Sequence, residues 1–265
     1  MNNYNKIIIG DIEFTAFEAG EFRMGALGGD KYANILEKNR NTKIEDFYLQ
    51  STPVTVGQYF SFLKDTGYDS NYQIEIWDGD DWVKGPHFLE INGKGNDYPV
   101  VGVSFIDAEN YIDWLSKKYG KKFRLPTEAE FEYAAKSYCK CKSECRYANK
   151  AQELKIVRNE GEMPAKGPKK IEETVKTDSG LYAMHGAIWQ WCNDWFFYYD
   201  ERDVENPKGP KGEPLYAPWK GEKWSPGKTI RGGSFSYPFY YARCSDRHYS
   251  KIEDRNYNVG FRLCI

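Results

Sequence analysis

The sequence predicts an α+β fold with little regular secondary structure. Three observations lead there: three capped amphipathic helices, a scatter of short apolar runs, and long connections rich in Gly, Pro, Lys and Asp. The chain has 265 residues, 40% hydrophobic and 29% charged. That composition is globular, and it shows no break along the chain, so a single domain over 1–265 is expected.

The first helix begins at Thr55, with Gln58 three residues on as a capping box. Val56, Tyr59, Phe60 and Leu63 form its apolar stripe, and Gly67 is a natural stop. The second begins at Ser104; Ala108, Tyr111, Ile112 and Leu115 share a face, and Gly120 ends it. The third begins at Thr127, which pairs with Glu130 in another capping box, and buries Phe131, Ala134 and Ala135. Strands are expected at Phe14 to Phe17, Phe47 to Gln50, Ile188 to Trp191, Thr229 to Arg231 and Val259 to Leu263. Segments 64–98, 137–180 and 200–228 read as long loops. Aromatic residues reach 17%, enough to pack such loops or to build a contact surface.

A net charge of -2 gives no electrostatic reason for a nucleic acid or an anionic membrane as partner. Ile7 to Ile9 is too short for the core of a signal peptide, and no run is long enough to span a bilayer, so a cytoplasmic protein is expected. Six cysteines are too few for a disulfide framework in a chain this long.

Several segments form an ordered series of motifs. They are Phe22-Arg23-Met24-Gly25, Pro53-Val54-Thr55 with Tyr59 and Phe62, and Pro99 to Phe105 with Ala108. The twelve residues Arg124 to Ala135, RLPTEAEFEYAA, come next, followed by Gly180 to Gly186 with Trp189 and Trp191. Arg231-Gly232-Gly233-Ser234 and Gly260-Phe261-Arg262-Leu263 close the series. In this order they resemble the formylglycine-generating enzyme (sulfatase-modifying factor) family, and the resemblance implies a C-type-lectin-like topology. It does not imply the activity, because a fold hosts sites without dictating them.

The oxidase of that family holds copper between two cysteine thiolates, soft ligands suited to Cu(I). The corresponding positions here are Tyr237 and Phe239, and no cysteine lies between Ser234 and Arg243. A phenol and a phenyl ring cannot replace that pair, so copper and formylglycine formation are not expected. Where the family supplies Asn and Glu oxygens to a structural calcium, this chain has Ala187 and Gln190. A second calcium loop of the family leaves Asn149 as a calcium candidate. Family relatives with a three-histidine iron carry an extra helical domain, whereas His87, His185 and His248 here lack ligand spacing. Cys139, Cys141 and Cys145 form a cluster that does not fit a zinc spacing; a metal or redox role is weighed there against a solvated loop.

The segment that holds the family's active site is here a run of aromatic residues. Ser234, Tyr237, Phe239, Tyr240, Tyr241, Arg243, His248 and Tyr249 are the candidate ligand-binding residues. Tyr237, Tyr240, Tyr241, His248 and Tyr249 are expected to line one concave surface beside Ser234, with Trp189 and Trp191 filling the core behind. A salt-bridged structural role competes with ligand binding for Arg243. The expected function is recognition of a small molecule, peptide or glycan. Two alternatives stand beside it. One is an oxidative tailoring enzyme that takes a metal through Tyr237, His248 or the Cys139 cluster. The other is a variable binding protein of a diversity-generating retroelement, whose diversified positions favour residue types common between Phe235 and Tyr249.

Overall fold

The computed structural model describes residues 4–136, 167–200, 204–216 and 225–265. Eleven strands and four α-helices are found among them. The strands are β1 (Lys6–Ile9), β2 (Ile12–Phe17), β3 (Gly20–Met24), β4 (Arg40–Ile44), β5 (Phe47–Gln50), β6 (Gln73–Trp77), β7 (Trp82–His87), β8 (Trp189–Trp195), β9 (Lys228–Arg231), β10 (Arg247–Ser250) and β11 (Val259–Gly260). The helices are α1 (Val56–Thr66), α2 (Phe88–Asn92), α3 (Phe105–Tyr119) and α4 (Glu128–Lys136).

The three expected helices start where their caps place them. The Thr55 and Ser104 hydroxyls accept from the N–H groups of Gln58 and Asp107, and those residues reach back to complete each capping box. Thr127 does the same for Glu130. Gly67 and Gly120 end α1 and α3 in the left-handed conformation, which costs glycine little.

Two sheets organise the chain. β1, β2 and β5 form an antiparallel three-stranded sheet in that order. The second sheet runs β10-β9-β8-β11, with β11 parallel to β8 and the other pairs antiparallel. The C-terminal residues tie the two together: Cys264 bridges both Leu49 and Arg124. One core, between the sheets and α1 and α3, contains Tyr59, Phe62, Phe88, Tyr111, Trp189, Trp191 and Phe261. A second packs α4 against the β3–β4 hairpin through Phe22, Met24, Phe131 and Cys192. Among the described residues, no helix is long and apolar enough to cross a membrane.

The structure corrects three sequence expectations. The 64–98 segment is not one long loop, because it folds into the β6–β7 hairpin and α2. Of the β6 side chains only Ile74 is buried, so the apolar alternation that announces a strand is weak. The strand expected at Val259 to Leu263 pairs as a strand only over Val259–Gly260; beyond it the chain stays bonded through Phe261 O to Val54 N and Leu263 O to Gln50 N. The strand expected at 188–191 runs on to Trp195.

Candidate ligand-binding site

β9 leads into the aromatic segment through Gly232 and Gly233. Their φ angles are +99° and +69°. A Cβ on Gly233 would meet the Tyr241 carbonyl oxygen at 2.7 Å and Ala242 Cα at 2.9 Å. Only glycine allows this turn to close so tightly against the aromatic segment. Ser234 then lies fully buried, its hydroxyl 3.0 Å from that of Ser236 and accepting from Asn258 Nδ2 at 3.2 Å. It anchors the loop instead of lining a surface.

The rings beyond it divide into two groups. Tyr237 and Tyr241 meet edge to face at 5.0 Å, and both meet the buried Trp189 the same way, at 5.8 and 6.5 Å. His248 joins them, 5.0 Å from Trp189 and 5.2 Å from Tyr241. Tyr240 turns away and stacks flat on Tyr32 at 5.1 Å, and Phe239 meets Tyr32 edge-on. The expected single concave surface is therefore not formed by all five residues. Tyr237, His248 and Tyr249 line a cavity of about 480 Å³, with Tyr241 against Tyr237 and Tyr240 and Phe239 on the Tyr32 side.

Arg243 is buried beneath the segment. Its guanidinium bonds to Glu37 at 2.6 and 2.9 Å, to Asp246 at 3.0 Å and to Asp30 at 3.3 Å. The structural role weighed for it in the sequence is thus the one its contacts describe. Burial and the positive Arg243 lower the pKa of His248. Its side chain is 41% exposed, so desolvation is only partial; the downward direction alone leaves a neutral imidazole at pH 7. Burial and the neighbouring Tyr257 and Tyr241 push the Tyr237 phenol up to about 12, so it offers O–H as a donor at all ordinary pH values.

Several further residues of the cavity were not expected from the sequence, among them Trp82, Glu75, Asn256 and Asn258. Trp82 and Glu75 come from the β6–β7 hairpin, and Asn256 and Asn258 from the turn before β11. Asn258 Nδ2 bridges Ser234 and Ser236. Asn256 is 6% exposed; its Nδ2 donates to Ser250 Oγ, but its Oδ1 is buried without a hydrogen-bond partner. Glu75 has no ion-pair partner among the described residues, and burial, with Asp254 nearby, raises its pKa. The signal available in the sequence was the Asp78-Gly79-Asp80-Asp81 turn between two tryptophans, a hairpin cue.

No thiol lies between Ser234 and Arg243, so the cysteine pair that would hold copper in this segment is not present. Cys244, the first cysteine after Ser234 in the chain, is buried 3.9 Å from His185 Nε2, and burial pushes its thiol up to about 12. Among the described residues no group of three His, Cys, Asp or Glu side chains is placed to hold a metal. At the altered calcium position, Gln190 Oε1 accepts from Arg262 Nε at 2.6 Å and its Nε2 donates to the Ala183 carbonyl. Both ends of that amide are thus used within the protein. Asn149, Cys139, Cys141 and Cys145 lie outside the described residues.

Known proteins place this geometry in context. The chain is 27% identical over 255 residues to the serine/threonine-protein kinase pkn1 of Chlamydia pneumoniae, covering 94% of this chain and 37% of that protein. It therefore spans little more than a third of that relative. It is 28% identical over 291 residues to the formylglycine-generating enzyme of Streptomyces coelicolor, covering 92% of this chain and 86% of the enzyme. Among solved structures, PvdO from Pseudomonas aeruginosa superposes with a TM-score of 0.75 at 24% identity, over 100% of this chain and 98% of that one. Residues 13–265 match the sulfatase-modifying factor enzyme 1-like domain, and with the capped helices, the Gly-Gly-Ser turn and the C-terminal strand all in place, the chain belongs to that formylglycine-generating-enzyme-like family.

Proposed function

We propose that this chain is a ligand-recognising member of its family and not a copper formylglycine oxidase. The observation that carries this reading is the cavity beside Trp189. It pairs apolar ring faces (Trp82, Trp189 and Tyr237) with two acceptors: among the described residues Asn256 Oδ1 has no hydrogen-bond partner and the Glu75 carboxylate has no ion-pair partner. Such a lining suits a small molecule, or one group of a peptide or glycan, that has a flat or apolar body and hydrogen-bond donors. Asp81 and Asp254 also line the cavity, against one lysine, Lys251, so a neutral or basic donor group is favoured over an acid.

Tyramine and methyl glucoside, with benzoate as the acidic control, test this by intrinsic tryptophan fluorescence. Tyramine or the glucoside should give a saturable change and benzoate none from this cavity. Trp82 is 36% exposed, so Trp82→Ala should abolish the response while moving Tm little. Unchanged binding in Trp82→Ala, or no response to either donor ligand, would remove the support for this site.

A further inference from the structure

On another face, the strap of residues 204–216 passes over the end of β8. Beneath it lies a cleft of about 1210 Å³ that shares no lining residue with the aromatic cavity. Its lining includes Asp194, Trp195, Tyr198, Lys208, Lys211 and Lys228. Asp194 is 3% exposed. Its Oδ2 accepts from the Glu128 N–H at 2.8 Å, capping α4, whereas its Oδ1 has no hydrogen-bond partner among the described residues. Gly209 lies over this carboxyl with φ +68°; a Cβ there would stand 3.2 Å from Asp194 Cβ and 3.4 Å from Oδ1. A side chain at this positive-φ position would crowd the carboxyl, and glycine avoids that.

Among the described residues five cations line the cleft (Arg40, Lys208, Lys211, Lys228 and Arg247) against three acids (Glu128, Asp194 and Asp200). Glu128 is occupied by Arg247 through two bonds of 2.6 Å. Lys228 Nζ donates to the Asn193 carbonyl at 2.7 Å and rests on the Trp195 ring. None of Lys208, Lys211 and Lys228 has a carboxylate within ion-pair distance among the described residues. The groups that act on Asp194 are Glu128 and Glu130 of α4, Arg247 of β10, Lys228 of β9 and Arg124 before α4. Burial, then Glu128, outweighs the cations and raises Asp194 to about 8. At neutral pH it therefore keeps a proton, and since Oδ2 is already an acceptor, the proton sits on Oδ1, a donor facing the cleft.

We propose that this cleft is a second binding site, for a small organic anion whose oxyanion head is held by Lys208, Lys211, Lys228 and the Asp194 acid and whose body lies on Trp195 and Tyr198. Charge-assisted donors converging beside aromatic faces recognise that chemistry.

Benzenesulfonate is the probe, because it stays anionic across the range tested; isothermal titration calorimetry on the full chain is the measurement. Saturable binding is expected at pH 6.5. The exposed pair of changes Lys208→Gln and Lys211→Gln, made together, should weaken it at least tenfold without altering Tm. Affinity should fall severalfold from pH 7 to pH 9 as Asp194 ionises. Asp194→Asn should reduce that fall, because its carbonyl oxygen can take the Glu128 N–H and leave the NH2 as a permanent donor into the cleft; the remainder comes from Lys228, whose pKa burial lowers. Trp82→Ala should leave benzenesulfonate binding unchanged, which separates this site from the aromatic cavity. No saturable binding, full affinity in the double lysine variant, or the same pH dependence in Asp194→Asn would overturn the proposal.

Discussion

Arg262 shows how one residue can bind distant parts of this chain. It is fully buried, and its guanidinium donates to Gln190 Oε1 and to the carbonyls of Gln50, Tyr182 and Ala183. No carboxylate is paired with it among the described residues, and burial lowers its pKa. The charge is neutralised by dipoles alone, an arrangement that depends on every bond being kept. Arg262→Met should cost about 3–5 kcal/mol, the scale for leaving several buried acceptors without a donor. Arg262→Lys should recover only part of that, because an ammonium cannot reproduce the planar fork. Chemical denaturation of the two variants checks both statements; a loss below about 1 kcal/mol in Arg262→Met, typical of a dispensable bond, would contradict them.

At the scale of elements, the N-terminus of α3 joins a local signal to a distant partner. Asp107 completes the capping box with Ser104, accepts from the Tyr68 hydroxyl at 2.9 Å and binds Arg255 at 2.7 and 2.8 Å. Burial alone would raise its pKa; Arg255, the Ser104 N–H and Tyr68 outweigh it, and the carboxyl is held below its ordinary range. An acid with a lowered folded-state pKa stabilises the protein above its unfolded value, about 3.9, and loses that contribution as pH falls through the folded value. Asp107→Asn should therefore destabilise by about 2–4 kcal/mol at pH 7, where it leaves Arg255 unpaired. The difference from the parent protein should shrink as pH drops below about 4. Urea melts of both proteins at pH 7 and at low pH measure this, and a pH-independent difference would count against the ionised pair as its source.

For the whole molecule, the fold keeps the family's frame, and the segment after Ser234 is aromatic and contains no cysteine before Cys244. The Gly232-Gly233 turn, the buried Trp189 and Trp191 and the paired β11 are all present. After Ser234 the chain presents a set of interlocked rings, with no thiol before Cys244, which is itself buried. Titration with Cu(I) in the presence of a competing chelator should accordingly return all the copper to the chelator. A Cys-x-Pro-x-Arg peptide should keep its thiol after incubation. Stoichiometric copper that is lost on Tyr237→Phe or His248→Ala would show that the segment holds metal after all.

The sequence by itself determined the helices, because a cap, an apolar stripe and a terminal glycine are local signals: α1 and α3 carry all three, and α4 carries the cap and the stripe. It also determined the buried roles of Trp189 and Trp191 and the lack of any cysteine between Ser234 and Arg243, since these rest on which residues are present in an ordered series of motifs. Tertiary structure alone decided how the aromatic run divides. Phe239 and Tyr240 turn to Tyr32, a ring some two hundred residues earlier in the chain, and no periodicity between 235 and 249 encodes that contact. It also decided that Ser234 is an anchor and Arg243 the centre of a buried ion cluster, because their partners Asn258, Glu37 and Asp30 are remote in sequence. The β6–β7 hairpin brings Trp82 and Glu75 to the cavity although only one of its β6 side chains is buried. Where burial supplies no alternation, the sequence has little to display, and the pairing of backbone groups in three dimensions decides the strand.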